Sequence, residues 1–157
     1  MGDTFIKLEA HWDQDSSIFF TRISGLVGYT ELKQWEELLI NESQKIPANS
    51  EFKFFVDESG YQFNDQNVHK AKKDIMPKFL AHYGFMLSVL PTVEITRLRK
   101  EIKLNDKGIH CIAICMNHHD EEKMAEIQQT YGKENEKYFS NFQRAEQWVQ
   151  AYRHKLP

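Results

Sequence analysis

Two short, strongly apolar runs set the tightest limit on what this chain can fold into. Residues 52–56 read FKFFV and residues 109–116 read IHCIAICM, so both are rich in aromatic or β-branched side chains. Runs of this length between turn-forming residues are typical of buried strands. Segments with apolar residues at helical spacing alternate with them, and such alternation favours a parallel sheet built through right-handed crossovers. We therefore predict an α/β fold.

The N-terminal part of the chain differs, because two β-like runs follow one another there. Residues 5–12 and 17–24 are rich in apolar side chains, and the polar segment 13–16 between them is typical of a hairpin turn. Strands and helices alternate from residue 17 onward. The predicted architecture is a mixed, mostly parallel sheet with an N-terminal antiparallel strand pair and about four or five helices.

Two helices are predicted before the second apolar run. The first covers about residues 30–45, where apolar residues recur at helical spacing. The second begins at a capping residue, Asn64 or Asp65, and ends at Gly84. Pro77 lies inside it, removes a backbone donor and clashes with the preceding turn, so we expect a kink or a break there.

The C-terminal half is less regular. Residues 85–90 form another apolar run, for which we predict a strand, and residues 92–102 fit either a helix or an edge strand. A helix that ends at Gly132 follows the run 109–116. Ser140 and Gln143 form a capping box, which predicts a last helix after them.

Charge and hydropathy exclude several classes of function. The 157 residues include 20 Lys and Arg against 23 Asp and Glu, a formal charge of −3, and nucleic-acid binders are strongly basic instead. The length suits a single domain over residues 1–157. No apolar run approaches the roughly 18 residues of a membrane helix, and the N-terminus lacks the order of a signal peptide. We expect a cytoplasmic protein with no nucleic-acid partner and no membrane span.

Both cysteines lie in the second apolar run. At about 3.3 Å per residue, Cys111 and Cys115 would be roughly 13 Å apart on one face of a strand, beyond the roughly 7 Å that a disulfide spans. That separation also prevents them from sharing a zinc ion. We expect two reduced thiols that behave as small buried hydrophobic groups.

The turn after residues 52–56 carries the most specific motif. Residues 56–67 read VDESGYQFNDQN, with Asp57, Ser59 and Gly60 in an Asp-x-Ser-Gly turn and Asp65 where the next helix is predicted to begin. This pattern resembles a signature of the STAS superfamily, the sulfate-transporter and anti-sigma-factor-antagonist domain, and of its SpoIIAA-like members. Further stretches similar to that family are Ile23-Ser24-Gly25, residues 86–102 (MLSVLPTVEITRLRKEI), and the ending from Tyr138-Phe139 to Trp148-Val149.

The resemblance implies a non-catalytic bacterial regulatory or protein-interaction module. Antagonist members carry a phosphorylated serine in the second turn, at a helix start that favours anions. Gln66 and Asn67 stand there in this chain, so we expect no phosphorylation switch. We expect a protein partner to dock on Ser59, Asp65, Gln66 and Asn67. The sequence also allows a homodimer. Residues 85–131 hold one strand and helix too many for the family, which implies an insertion within them.

A second hypothesis places a binding pocket in the same part of the chain. Tyr61, Phe63, Phe79 and Tyr83 lie in the predicted second helix and the turn before it. Between that helix and the sheet, these aromatic residues would line a pocket for a small molecule or lipid. An apolar or anionic ligand would fit it.

His118 and His119 are the residues whose side chains most clearly suit metal binding. They follow the strand 109–116, where α/β folds place ligands, so an enzyme that uses this region is our third hypothesis. Adjacent side chains point apart on a strand or helix, which argues against a metal pair. The chain also lacks the phosphate-loop, nucleophile-elbow and dinucleotide-binding motifs. We therefore favour a protein without catalysis, metal or cofactor.

Basic residues concentrate in the middle of the chain. Four lysines, at positions 70, 72, 73 and 78, lie in the predicted second helix, and five Lys and Arg follow between 97 and 107. No aromatic residues alternate with them as in base-stacking surfaces. They form either a solvated face or a local patch that docks an acidic protein or an anionic head group.

Overall fold

The computed structural model describes residues 5–89 and 92–153, which form one mixed sheet flanked by helices. The elements in chain order are β1 (Lys7–Asp13), β2 (Ile18–Leu26), α1 (Tyr29–Ser43), β3 (Glu51–Asp57), β4 (Tyr61–Gln62), α2 (Gln66–His82), α3 (Thr92–Glu101), β5 (His110–Asn117), α4 (Glu121–Tyr131), β6 (Glu136–Phe139) and α5 (Phe142–Ala151). The predicted α/β class, with an antiparallel N-terminal pair, a parallel remainder and five helices among the described residues, is confirmed.

The strand order brings two carboxyl ends side by side. The order is β1-β2-β3-β5-β6, with the short β4 against the end of β2. β1 and β2 are antiparallel, whereas the pairs β2–β3, β3–β5 and β5–β6 are parallel. Parallel neighbours need crossover connections, and helices supply them here. Asp57 lies opposite Asn117, so the turns that follow β3 and β5 start from the same edge.

The sheet separates two cores. Phe52, Phe54 and Val56 of β3 pack in the larger core, with buried residues of α1 and α2. Phe55 faces the other side and packs with Ala145 and Val149 of α5. Helices on both faces explain why β3 is almost continuously apolar.

Lys53 interrupts the apolar sequence of β3 and is only 6% exposed. Its Nζ donates to the carbonyl oxygens of Gln150 and Tyr152, each 3.3 Å away. The last carbonyls of a helix have no partner within it and attract cations. Lys53 therefore fixes the end of α5 against the sheet.

Helix α2 starts as predicted but is not broken. The Asp65 carboxylate accepts a hydrogen bond from the Asn67 N–H at 2.8 Å, so Asp65, not Asn64, is the N-cap. The helix continues through Pro77 to His82. Gly84 then takes a φ of +80°, which glycine adopts without steric cost, and ends the helix.

The predicted strand at residues 85–90 is wrong for its described part, because residues 85–87 are irregular and residues 88–89 form a turn. The Phe85 N–H bonds back to the Leu80 carbonyl at 2.9 Å and the Ser88 N–H bonds to a side chain, so neither is available to a strand. Residues 92–101 form helix α3, which settles the helix-or-strand alternative. The last helix is capped by Asn141, not Ser140.

No helix in the described part of the chain combines the length and the apolar composition that a bilayer crossing requires. The longest of them, α2, carries four lysines and one aspartate within Gln66–His82. Its residues alternate between a buried face, with Val68 and Leu80, and an exposed face, as an amphipathic helix on a sheet requires.

The two cysteines are buried and free, as expected, but they do not share a face. A bulge shifts the register between β3 and β5, from Phe52 opposite Cys111 to Lys53 opposite Ala113. The extra residue in β5 reverses the alternation, so Cys111 packs in the larger core and Cys115 in the core under α5. Burial raises the pKa of both thiols well above the usual value, so both stay protonated.

Candidate functional site

A cavity of about 470 Å³ opens between α2 and α4, beside the carboxyl ends of β3 and β5. Its lining comes from the turn after β3 (Glu58, Tyr61), from α2 (His69, Lys72, Lys73, Met76, Pro77), from the segment after α2 (Leu87, Val89), from β5 and its end (Met116, His118), from α4 (Lys123, Met124, Ile127) and from β6 (Tyr138). The carboxyl edge of a parallel sheet is where α/β folds bind ligands, and the volume falls in the range of small-molecule pockets.

A buried ion pair forms one wall of the cavity. Lys72 Nζ lies 2.5 Å from Glu58 Oε2, and the two residues are only 8% and 4% exposed. The same ammonium lies 4.5 Å from the centre of the Tyr61 ring, within cation–π range. Glu58 and Lys72 thus neutralise each other inside the protein.

Tyr61 and His69 form a neutral pair beside it. The Tyr61 hydroxyl lies 3.0 Å from His69 Nδ1, and the His69 ring stacks on Phe63 with 3.9 Å between ring centres. Burial lowers the pKa of His69 to about 4, helped by the charges of Lys73, Lys72 and Lys123. Burial and the Glu58 charge raise the pKa of Tyr61 to about 12, so both groups are uncharged near pH 7.

His118 offers a hydrogen-bond donor at the cavity wall. Its Nδ1 accepts the Asp120 N–H at 3.0 Å, which places the proton of the neutral ring on Nε2. Burial lowers the pKa of His118, and the neighbouring charges of His119, Lys123 and Lys72 act in the same direction against Glu58. The neutral ring with its Nε2–H is therefore the form that meets a ligand near pH 7.

The rest of the wall is apolar. Met76 and Pro77 on α2 face Met124 and Ile127 on α4, with Met116 of β5 between the two helices. The remaining apolar contributors are Leu87, Val89 and the ring of Tyr138. Methionine side chains are flexible and polarisable, so these walls can adapt to ligands of different shape.

The turn that carries the Asp-x-Ser-Gly motif is held in place by side-chain hydrogen bonds. Burial opposes ionisation of Asp57, but hydrogen bonds from Ser59, Arg22 and Asn117 hold its pKa below the usual value. Ser59 Oγ donates to Asp57 at 2.7 Å and accepts from Asn117 at 2.9 Å. Gly60 has a φ of +80°, and a Cβ there would lie 2.7 Å from the Ser24 hydroxyl, so only glycine fits.

Of the residues predicted as a partner surface, three are exposed together. Asp65, Gln66 and Asn67 lie at the start of α2 on the outside of the protein. Ser59 is partly buried and has its hydroxyl engaged by the hydrogen bonds just described. The exposed group is one helical turn from His69, near the mouth of the cavity.

The residues predicted as a pocket separate in space. Tyr61 lines the cavity, and Phe63 adjoins it through the His69 ring. Phe79 and Tyr83 lie farther along α2, line a smaller depression of about 230 Å³ between α1 and α2, and pack against rings of the larger core. Of the four aromatic residues, only Tyr61 therefore lines the cavity between α2 and α4.

The rings of His118 and His119 lie closer together than expected for neighbouring residues in a sequence. Their rings stack with centres 4.2 Å apart, whereas we expected neighbouring side chains to point apart. Both residues lie in the turn between β5 and α4, where successive side chains do not point to opposite sides as they do in a strand. His119 Nδ1 accepts the Gly60 N–H at 3.0 Å. Within the described ranges, no group of three His, Cys, Asp or Glu side chains is placed to hold a metal ion.

Sequence reasoning missed the buried pair and the apolar walls. Lys72 was grouped with surface lysines, although it lies four residues from both Val68 and Met76 on the buried face of α2. That spacing was the available signal, because positions i and i+4 share one side of a helix. The roles of Met116, Met124 and Ile127 depend on how α4 packs beside α2, which no local pattern reveals.

Comparisons of the chain with protein-family models, with curated proteins and with solved structures find no match. The resemblance to the STAS superfamily stays a prediction.

Proposed function

We propose that this protein is a non-catalytic binding domain that takes a small, largely apolar molecule into the cavity between α2 and α4. The cavity itself is the observation that carries the proposal: about 470 Å³, walled by methionine, leucine, valine, isoleucine and proline side chains with a few polar groups on one side. Small-molecule sites share this combination of an apolar lining and few polar groups.

The polar groups of the lining support binding over catalysis. The described residues of the lining include no Ser, Thr or Cys, the side chains that most often act as nucleophiles in acyl transfer. Glu58 is already paired with Lys72, and Tyr61 with His69. An enzyme at His118 and His119 is the less supported alternative, because each Nδ1 is engaged by a backbone N–H.

Calorimetric titration with decanol and decanoate tests this function. We expect saturable one-to-one binding to the full chain, and weaker binding by at least about 10-fold in Val89→Phe and Ile127→Phe, because a larger side chain fills the partly exposed wall. Ile40→Phe is the matched control, since Ile40 is 52% exposed on α1 outside the cavity lining. Absence of binding by the folded wild-type chain would overturn the proposal.

A protein partner is the second candidate, favoured by the exposed group Asp65, Gln66 and Asn67 beside the cavity mouth. The resemblance to the STAS superfamily points the same way, toward a bacterial regulatory module. Capture of a partner on the immobilised chain, weakened by Asp65→Lys or Asn67→Lys and unchanged by Lys33→Glu on α1, would support it. Capture that ignores the first two changes would refute it.

The same proposal places the protein in the cytoplasm. Two free, buried cysteines fit a compartment that keeps thiols reduced.

A further inference from the structure

The positive and negative charges of the side chains that line the cavity are unequal in number. Three lysines, Lys72, Lys73 and Lys123, face one carboxylate, Glu58. Lys72 is neutralised by Glu58, which leaves two positive charges. His69 and His118 add no negative charge. The lining of the cavity therefore carries a net positive charge near pH 7, and the exposed Lys73 and Lys123 place it at the rim.

The two remaining lysines lie on opposite walls. Lys73 belongs to α2 and Lys123 to α4, and both residues are exposed at the rim of the cavity. Both contribute to the lowered pKa of His69, so both charges reach the same part of the cavity. Two ammonium groups on opposite walls of one cavity attract an anion between them.

His118 adds a directed donor to the same end. Because Nδ1 accepts the Asp120 N–H, the neutral ring presents Nε2–H, which an anionic oxygen accepts. Lys123 lines the same cavity as His118, and its charge lowers the pKa of that ring. The anion would thus meet two ammonium groups and one imidazole N–H.

Charge and apolar surface are ordered along both helices. On α2, Lys72 and Lys73 come one turn before Met76 and Pro77. On α4, Lys123 in the first turn likewise comes one turn before Ile127. Both helices start at the carboxyl edge of the sheet, where Lys73 and Lys123 are exposed, whereas Met76 and Met124 are buried.

Building on the proposed function, we infer that the ligand is an anionic amphiphile, with a carboxylate or similar acidic group bound by Lys73, Lys123 and His118 and an apolar body between α2 and α4. A fatty acid and an aromatic or branched carboxylic acid share this chemistry. The apolar part would contact Met76, Met124 and Ile127.

A matched series of ligands tests the charge of the head group. Decanoate, decanol and decylamine have the same chain and differ only at one end, so we expect calorimetry to give an affinity about 10-fold higher for decanoate than for decanol, with decylamine weakest. Raising the salt concentration should weaken the binding of decanoate and leave the binding of decanol unchanged, because salt screens only the charged interaction.

Two lysine variants test the position of the head group. Lys73→Gln and Lys123→Gln should each lower the affinity for decanoate about 3- to 5-fold without changing the affinity for decanol. Lys70→Gln, on an exposed position of α2 outside the lining, is the control and should change neither.

The outcomes separate this inference from the proposed function. Equal affinities for decanoate and decanol, both lost in Val89→Phe, would keep the binding function and overturn the anionic head group. Tighter binding of decylamine would also overturn it. Failure of all three ligands to bind would overturn the binding function itself.

Discussion

Lys72 and Glu58 are the residues on which the cavity wall depends most. Both are nearly inaccessible to solvent, and a single buried charge costs several kcal/mol unless a partner neutralises it. The pair fixes the start of α2 to the turn after β3, where the cavity opens. Its strength is therefore a property of the pair, because each charge is tolerated only beside the other.

Removing one partner should destabilise the protein more than removing both. Lys72→Met leaves the Glu58 carboxylate buried and unpaired, so we expect the free energy of unfolding in urea to fall by about 3 kcal/mol. The double change Lys72→Met with Glu58→Gln should recover most of that loss, and Lys70→Met should have little effect. Additive losses in the double variant would contradict a coupled pair.

His69 should make stability depend on pH. Its pKa in the folded protein is about 4, against 6.5 for an unperturbed ring, so between these values the unfolded chain binds a proton that the folded chain does not. The free energy of unfolding should therefore fall as pH drops from about 6.5 toward 4. His69→Gln removes this contribution and should show a shallower fall in urea titrations across that range. Parallel curves for the two proteins would contradict the assignment.

Single residues also show how far the sequence could predict the site. The sequence predicts His118 as a candidate because it follows an apolar strand, and Tyr61 as one of the aromatic residues of a pocket beside the second helix; both line the cavity. Glu58 was quoted only as part of a motif, since nothing local distinguishes a carboxylate with a buried partner from a solvated one. Phe79 and Tyr83 share a helix with Lys72 but are directed to another depression, a difference set by the placement of α1.

At the level of elements, the segment after α2 explains how an apolar run avoids becoming a strand. Gly84 and Phe85 bond back to Ala81 and Leu80, which closes the end of the helix in a Schellman arrangement. Ser88 then donates its N–H to Glu136 at 3.0 Å. Its backbone partners thus come from a helix end and a side chain, which composition alone does not reveal.

Glu136 holds this segment in place and should control its opening. The carboxylate is fully buried and accepts from the Ser88 N–H and, at 2.6 Å, from the Tyr138 hydroxyl. Glu136→Leu leaves both donors without an acceptor, so we expect a loss of about 2 kcal/mol and faster amide hydrogen exchange at Leu87 and Val89.

Glu136→Gln is the conservative comparison, because it keeps an acceptor oxygen and should retain most of the protection. Unchanged exchange at Leu87 and Val89 in Glu136→Leu would show that other contacts hold the segment. The measurement is specific, since a general loss of stability would also accelerate exchange in β3 and β5.

The elements that sequence patterns predicted well are those whose neighbours are local or apolar. The strands β3 and β5 follow from their composition, and the antiparallel β1–β2 pair follows from its turn. The two-residue β4 was missed, because its pairing with β2 depends on the approach of the turn after β3. The bulge in β5 was missed as well, and with it the separation of Cys111 from Cys115.

At the scale of the whole molecule, the cavity follows from the order of the strands. β3 and β5 are neighbours and parallel, so the turns that follow them leave one edge together and lead into the helices α2 and α4. The crossovers from β3 to β5 and from β5 to β6 proceed in the same direction along the sheet, and the cavity lies between the helices α2 and α4. What is particular to this chain is the content of the space, whose lining combines three methionines with three lysines and one carboxylate.

Methyl NMR of the full chain, labelled at methionine, tests the central claim most directly. Three of the five methionines, Met76, Met116 and Met124, line the cavity, whereas Met86 does not. On titration with decanoate we predict saturable shifts of those three methyl signals and a nearly constant Met86 signal, with the shifts reduced in Lys73→Gln. Signals that stay unchanged at saturating decanoate, or shifts centred on Met86, would contradict a ligand between α2 and α4.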